Sequence, residues 1–96
     1  MAKGYWIAHI DVTDLEGFRE YIPMSTQAVT DAGGRFLVRG GSAETVEGDL
    51  RPRHVVIEFP SYAAALDCYR SRHYAAARVV RQENSQADIT VVEGFE

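Results

Sequence analysis

The feature that most constrains this chain is the order in which two hydrophobic periods alternate along it. "KGYWIAHIDV", Lys3 to Val12, repeats every second residue, as a half-buried strand does. The next stretch, towards Ala32, changes period. Phe18, Tyr21, Ile22, Ser25, Val29 and Ala32 recur at three- and four-residue steps and form one mostly apolar helical stripe. Thr13 with Glu16 fits a capping box at its start, Pro23 is expected to kink or break it, and Gly33 is placed to end it. "RFLVR", Arg35 to Arg39, and "HVVIEFP", His54 to Pro60, return to period two. Ser61 then caps a helix, "SYAAALDCYRS", and Ser71 a further segment, "RHYAAARVVRQ". "ADITVVEG", Ala87 to Gly94, closes the chain as a last strand.

The order is β-α-β-β-α-β, the ferredoxin-like pattern: a four-stranded antiparallel sheet with its helices on one face. The expected strand order is fourth, first, third, second. Period-two parity assigns Trp6, Ala8, Ile10, Phe36, Val38, Val55, Ile57, Phe59, Ile89 and Val91 to the helix-covered face. The opposite face takes Tyr5, Ile7, His9, Asp11, Arg35, Leu37, Arg39, Val56, Glu58, Thr90 and Val92. A solvated face alternates more cleanly to polar residues. Ile7, Leu37, Val56 and Val92 therefore predict a cover, and the chain has no spare element to supply one. A second copy of the same sheet, in a homodimer, would.

Length and charge narrow the function. The 96 residues make one domain, 1–96, with a modest core. A net charge of −4 offers no basic excess for nucleic acid or an anionic membrane. "MAKGYWIAHI" is too short and interrupted for a signal peptide or a span. The single cysteine, Cys68, lies on an amphipathic stretch and reads as a buried, inert thiol. These features predict a cytoplasmic protein.

"KGYWIAHIDVTD", "GGRFLVRGG", "HVVIEFPS", "SRHYAAARVVRQ" and the closing "VVEG" together resemble the domain-of-unknown-function 1330 family over almost the whole chain. The resemblance implies a ferredoxin-like subunit that pairs into a dimeric α+β barrel. That superfamily includes cofactor-free monooxygenases, lactone isomerases and haem-handling members. Arg72 and His73 depart from the family, which often has Pro-Glu or similar at that turn.

No strong catalytic motif is present. Gly40-Gly41 leads into polar loop sequence rather than a helix, so it is no phosphate loop. The three histidines, His9, His54 and His73, match no zinc spacing, and no metal or cofactor is expected. His9 and Glu58, assigned to neighbouring strands on the mixed face, are the candidate catalytic base and its orienting carboxylate. The competing reading is a structural contact within a dimer interface. Arg39, beside Gly40-Gly41, is the candidate partner for a substrate carboxylate. Tyr74 and Arg78 are expected to close a ligand pocket from the last helical segment. Tyr21 and Tyr69 are candidates for its wall or for the core, and Arg78 and Arg81 also fit solvated helix positions. The function that follows is a small-molecule enzyme acting without a cofactor, monooxygenase- or isomerase-like, on a small organic acid or aromatic compound. The alternative is a non-catalytic ligand-binding or assembly protein.

Overall fold

The structure, a computed structural model, describes residues 2–96. Its elements run β1 (Gly4–Val12), α1 (Leu15–Asp31), β2 (Arg35–Arg39), β3 (Arg53–Phe59), α2 (Tyr62–Arg70), α3 (Arg72–Asn84) and β4 (Ser85–Glu93). The four strands form one antiparallel sheet in the order β2-β3-β1-β4, as the pattern predicts. One face carries the helices. Trp6, Ala8 and Ile10 of β1 and Val55, Ile57 and Phe59 of β3 pack there with Phe18, Ala28 and Val29 of α1, Ala65 and Cys68 of α2, and Tyr74 and Ala77 of α3. Cys68 is buried, and desolvation pushes its thiol up to about 11.

Helix α1 departs from expectation at its start. Asp14, not Thr13, is the N-cap, its carboxylate accepting from the Gly17 N–H at 3.3 Å. Thr13 and Asp14 both donate their backbone N–H to the Asn84 carbonyl at the end of α3. That anchor holds Thr13 outside the helix, and Gly17 stands where an Asp14 capping box would need an acid. Pro23 does not break the helix, which runs unbroken to Asp31. Pro23 and Arg19, whose carbonyl loses its partner, both lie on the exposed side, where water can satisfy that carbonyl. Gly33, at φ 83°, ends the helix as expected. The Gly34 N–H bonds the Val29 carbonyl at 2.9 Å and the Gly33 N–H bonds Thr30 at 3.0 Å, which is the Schellman pattern. Ser61 and Ser71 cap α2 and α3, accepting from the Ala64 and Tyr74 N–H groups.

The most consequential departure lies in β2. Phe36 faces Ile57 across the β2–β3 ladder, but Val38, not Leu37, faces Val56. Leu37 is the extra residue of a β-bulge, and beyond it the parity of the strand inverts. Arg39 therefore joins Phe36 on the helix-covered face, opposite Val55, whereas Val38 turns outward and is 42% exposed. The face assignments of Arg39 and Val38 are thus the reverse of those the alternation predicts. Those of β1, β3 and β4 hold. β3 also begins at Arg53, one residue earlier than expected, so Arg53 shares its face with Val55 and Ile57.

Candidate functional site

The bulge aims Arg39 into a recess between the sheet and the helices. Its floor is apolar: Trp6, Ala8 and Ile10 of β1, Val55 and Ile57 of β3, Ile89 of β4, with Phe18 and Phe36 at the sides. Trp6 is fixed there by its indole N–H, which donates to the Ala65 carbonyl at 2.8 Å. Its ring packs edge-on against Tyr74, centroids 4.9 Å apart. The enclosed void is about 20 Å³, room for roughly one water molecule. The whole recess, its open mouth included, spans about 430 Å³. A guest larger than a water molecule therefore requires lining side chains to move.

Two guanidinium groups share this apolar recess. Arg39 donates from Nη2 to the Ile22 carbonyl at 2.9 Å and to Ser25 Oγ at 3.1 Å, and lies 3.8 Å from the centroid of the Phe36 ring. Arg53 lies 5.4 Å from the Phe18 ring centroid, and its Nε is buried with no hydrogen-bond partner. Gly40, at φ 68°, passes beneath the Arg53 guanidinium so closely that a Cβ would collide with it. Burial lowers the Arg39 pKa, Tyr21 opposes that shift and Arg53 adds to it. Arg39 nevertheless stays protonated, as guanidinium does in proteins. Among the described residues the ion pairs are Arg35–Glu58, Arg51–Asp88 and His73–Asp31, so neither recess arginine has a carboxylate partner.

A seam of hydroxyls continues inward from Arg39. Tyr21 of α1 and Tyr74 of α3 share a hydrogen bond at 2.5 Å, and Ser25, one helical turn beyond Tyr21, lines the same recess. Burial first, then Tyr74, raises the Tyr21 pKa far above the ordinary phenol value. Arg81, expected on a solvated helix surface, is only 4% exposed. Its guanidinium lies against the hydroxyls of Tyr74 and Tyr69, the latter at 3.4 Å, and its Nε has no partner. Desolvation works against its charge, and the tyrosine oxygens more than offset that.

The sequence candidates divide accordingly. Arg39 and Tyr74 line the recess, as do Tyr21 and Ser25. Arg78 lies outside it, donating to the Tyr69 carbonyl at 3.2 Å. His9 and Glu58 are on the opposite face and are not brought together. The register sets His9 against His54, with the two Nδ1 atoms 2.9 Å apart, and Glu58 against Tyr5. Glu58 accepts from the Tyr5 hydroxyl at 3.0 Å and from Arg35 Nε at 3.2 Å. Arg53 escaped sequence reasoning, although its parity with Val55 would have found it had the strand been started one residue earlier.

The model of the family described as "Domain of unknown function (DUF1330)" matches residues 3–95. The chain belongs to that family. No curated protein sequence matches it significantly. Solved structures share the fold of this DUF1330 chain at low identity. A protein of unknown function from Rhodopseudomonas palustris superposes with a TM-score of 0.75 at 14% identity, covering 99% of this chain and 84% of that one. SnoaB, a cofactor-independent oxygenase from Streptomyces nogalater, gives 0.69 at 8% identity, with 100% and 96% covered. A protein described as an antibiotic biosynthesis monooxygenase gives 0.54 at 17% identity, with 97% of each chain covered. Among the described residues no helix is long and apolar enough to cross a membrane.

Proposed function

We propose that the recess between sheet and helices binds a small aromatic or enolisable organic anion, and that the protein acts on it without a cofactor, in the manner of an oxygenase. The observation that carries this reading is the pair Arg39 and Arg53, two cations in an apolar cavity with no carboxylate partner among the described residues. Partly desolvated cations without a counter-charge are costly, and an anionic guest offsets that cost. The apolar and aromatic walls favour a flat hydrocarbon body behind the anionic group. The oxygenase component is drawn by analogy from SnoaB and is carried by fold alone.

The same proposal assigns the outer face to a homodimer in a cytoplasmic protein. Ile7, Leu37, Val38, Val56 and Val92 lie among charges of both signs, a mixture that supports covering by a second copy. A stable dimer would bury at least about 1,000 Å² in total. In this reading His9 and Glu58 act separately, within that contact.

Calorimetry with a set of small phenols, enolisable diketones and aryl acids tests the site. Arg39→Ala and Arg53→Met should each weaken the best ligand roughly tenfold or more, the scale of a lost charged hydrogen bond. His9→Ala should not. Equal binding by wild type and Arg53→Met would remove the site. Oxygen uptake with the bound compound then separates an enzyme from the non-catalytic alternative, in which the ligand is recovered unchanged.

A further inference from the structure

The hydroxyl seam has a direction. Arg81 can only donate, so it occupies lone pairs of Tyr74 and Tyr69. Tyr74 is 0% exposed, so water cannot take its proton. Of its hydroxyl's partners, Arg81 cannot accept, which leaves Tyr21 as the acceptor of the Tyr74 hydrogen. The Tyr21 oxygen is then engaged, and its own hydrogen must point onward. In the same lining, Ser25 Oγ donates to the Ile22 carbonyl at 3.1 Å and accepts from Arg39 Nη2 at 3.1 Å. Two donors, Tyr21 Oη and Arg39 Nη2, thus line one apolar cavity, and the acceptors of Arg39 there are neutral oxygens.

We infer that Tyr21 and Arg39 form an oxyanion site, in which the ionised oxygen of a phenolate or enolate accepts from both and displaces Ser25 Oγ from Arg39, with Tyr74 and Arg81 as positioning residues behind Tyr21. The inference rests on the ligand-binding reading above and sharpens it: the recognised charge is an oxyanion conjugated to the guest's flat body. Donors aimed at such an oxygen in a water-poor site stabilise it far more than water would. The ligand's proton leaves to solvent as the anion forms, so no protein group needs to become charged. The raised Tyr21 pKa fits this role, because Tyr21 must keep its hydrogen in order to donate it. Ser25 is then a placeholder. It satisfies Arg39 in the empty site and competes with the ligand for that donor.

The test uses 4-nitrophenol, whose ionised form absorbs near 400 nm, a readout a merely structural role would not move. Its absorbance is titrated against pH in the presence of excess protein. On binding, the ionised form should be favoured roughly tenfold or more over free solution, the scale expected of charge-assisted hydrogen bonds. Tyr21→Phe should remove most of that preference. Ser25→Ala should increase it, because the competing acceptor is gone. The opposite signs keep the test decisive even if Tyr21→Phe lowers stability. Bound 4-nitrophenol with an unshifted titration, or a Ser25→Ala variant that weakens the preference, would overturn the oxyanion assignment and leave the anion site intact. Binding of neither 4-nitrophenol nor any compound of the calorimetric set would overturn both.

Discussion

The two faces of this sheet hold their polar groups in opposite ways. On the outer face charge meets charge: Arg35 with Glu58, Arg51 with Asp88, and His9 with His54 as a hydrogen-bonded imidazole pair. These groups find their partners within the chain. On the helix-covered face, Arg39, Arg53 and Arg81 meet hydroxyls, carbonyls and aromatic rings, and two of the three have a buried Nε with no partner. Paired surface charges contribute little and need no guest. Buried cations left without an anion cost stability, and a fold retains them where something else supplies the missing charge. The difference is the reason the proposed site lies on the face that is worse satisfied.

The largest expected effect tests the core under the recess. Trp6→Ala should destabilise by about 3–5 kcal/mol, the range for deleting a buried aromatic side chain. It also strips the Ala65 carbonyl of its donor and Tyr74 of its edge contact. Ile7→Ala, one residue along on the other face, should cost about 1 kcal/mol in an isolated chain, since Ile7 is only half-buried there. Urea unfolding of both variants at two protein concentrations checks the contrast. An Ile7→Ala cost that grows with concentration would show that the outer face is covered by a second copy.

The second effect is alkaline, and both groups behind it lie on the helix-covered side. In the unfolded chain the Cys68 thiol and the Tyr21 hydroxyl titrate at their ordinary values, 9.0 and 10.0. In the folded chain both are raised, Cys68 to about 11 and Tyr21 further. Above pH 9 the folded state therefore holds more protons than the unfolded one, and stability must fall as pH rises. The loss begins near pH 9 through Cys68 and deepens above pH 10 through Tyr21. On the outer face the hydrogen bond to Glu58 raises Tyr5 as well, but water can solvate that phenolate. Tyr21→Phe should flatten the alkaline fall in thermal midpoint, while Tyr5→Phe should leave it in place.

How much of this could be read beforehand depends on what parity can carry. Alternation fixes which face a residue takes, so Trp6, Ile57 and Ile89 were placed correctly, and short polar caps announced Ser61 and Ser71. An inserted residue leaves no mark on a sequence. Leu37 reads as an ordinary strand position, and only the ladder to β3 exposes the bulge that turns Arg39 inward. Arg53 stands behind Pro52, which made the strand seem to begin at His54. Arg81 sits on a helix whose buried stripe is mostly alanine, so its own burial carries no hydrophobic signal. Thr13 and Asp14 are both good caps, and the tertiary bond from Thr13 to Asn84 decides between them.

Parity also says nothing about rows, and the smallest expected effect probes that. His9 and Glu58 share a face and neighbouring strands, yet Tyr5 is the residue opposite Glu58, four positions from His9. At 3.3 Å per residue the two rows are roughly 13 Å apart. Groups that far apart with no common partner should be independent, so a double-mutant cycle of His9→Ala and Glu58→Gln should give a coupling within about 0.5 kcal/mol of zero. Tyr5→Phe with Glu58→Gln should instead give about 0.5–1.5 kcal/mol, the worth of one hydrogen bond. The two cycles share Glu58→Gln, so any general weakening by that substitution cancels between them. A His9–Glu58 coupling above about 1 kcal/mol would break the contrast between the faces, because the groups could then meet only across two copies. Dilution would decide that case: a coupling that disappears with the dimer belongs to the interface, and one that persists would mean the β1–β3 register is wrong.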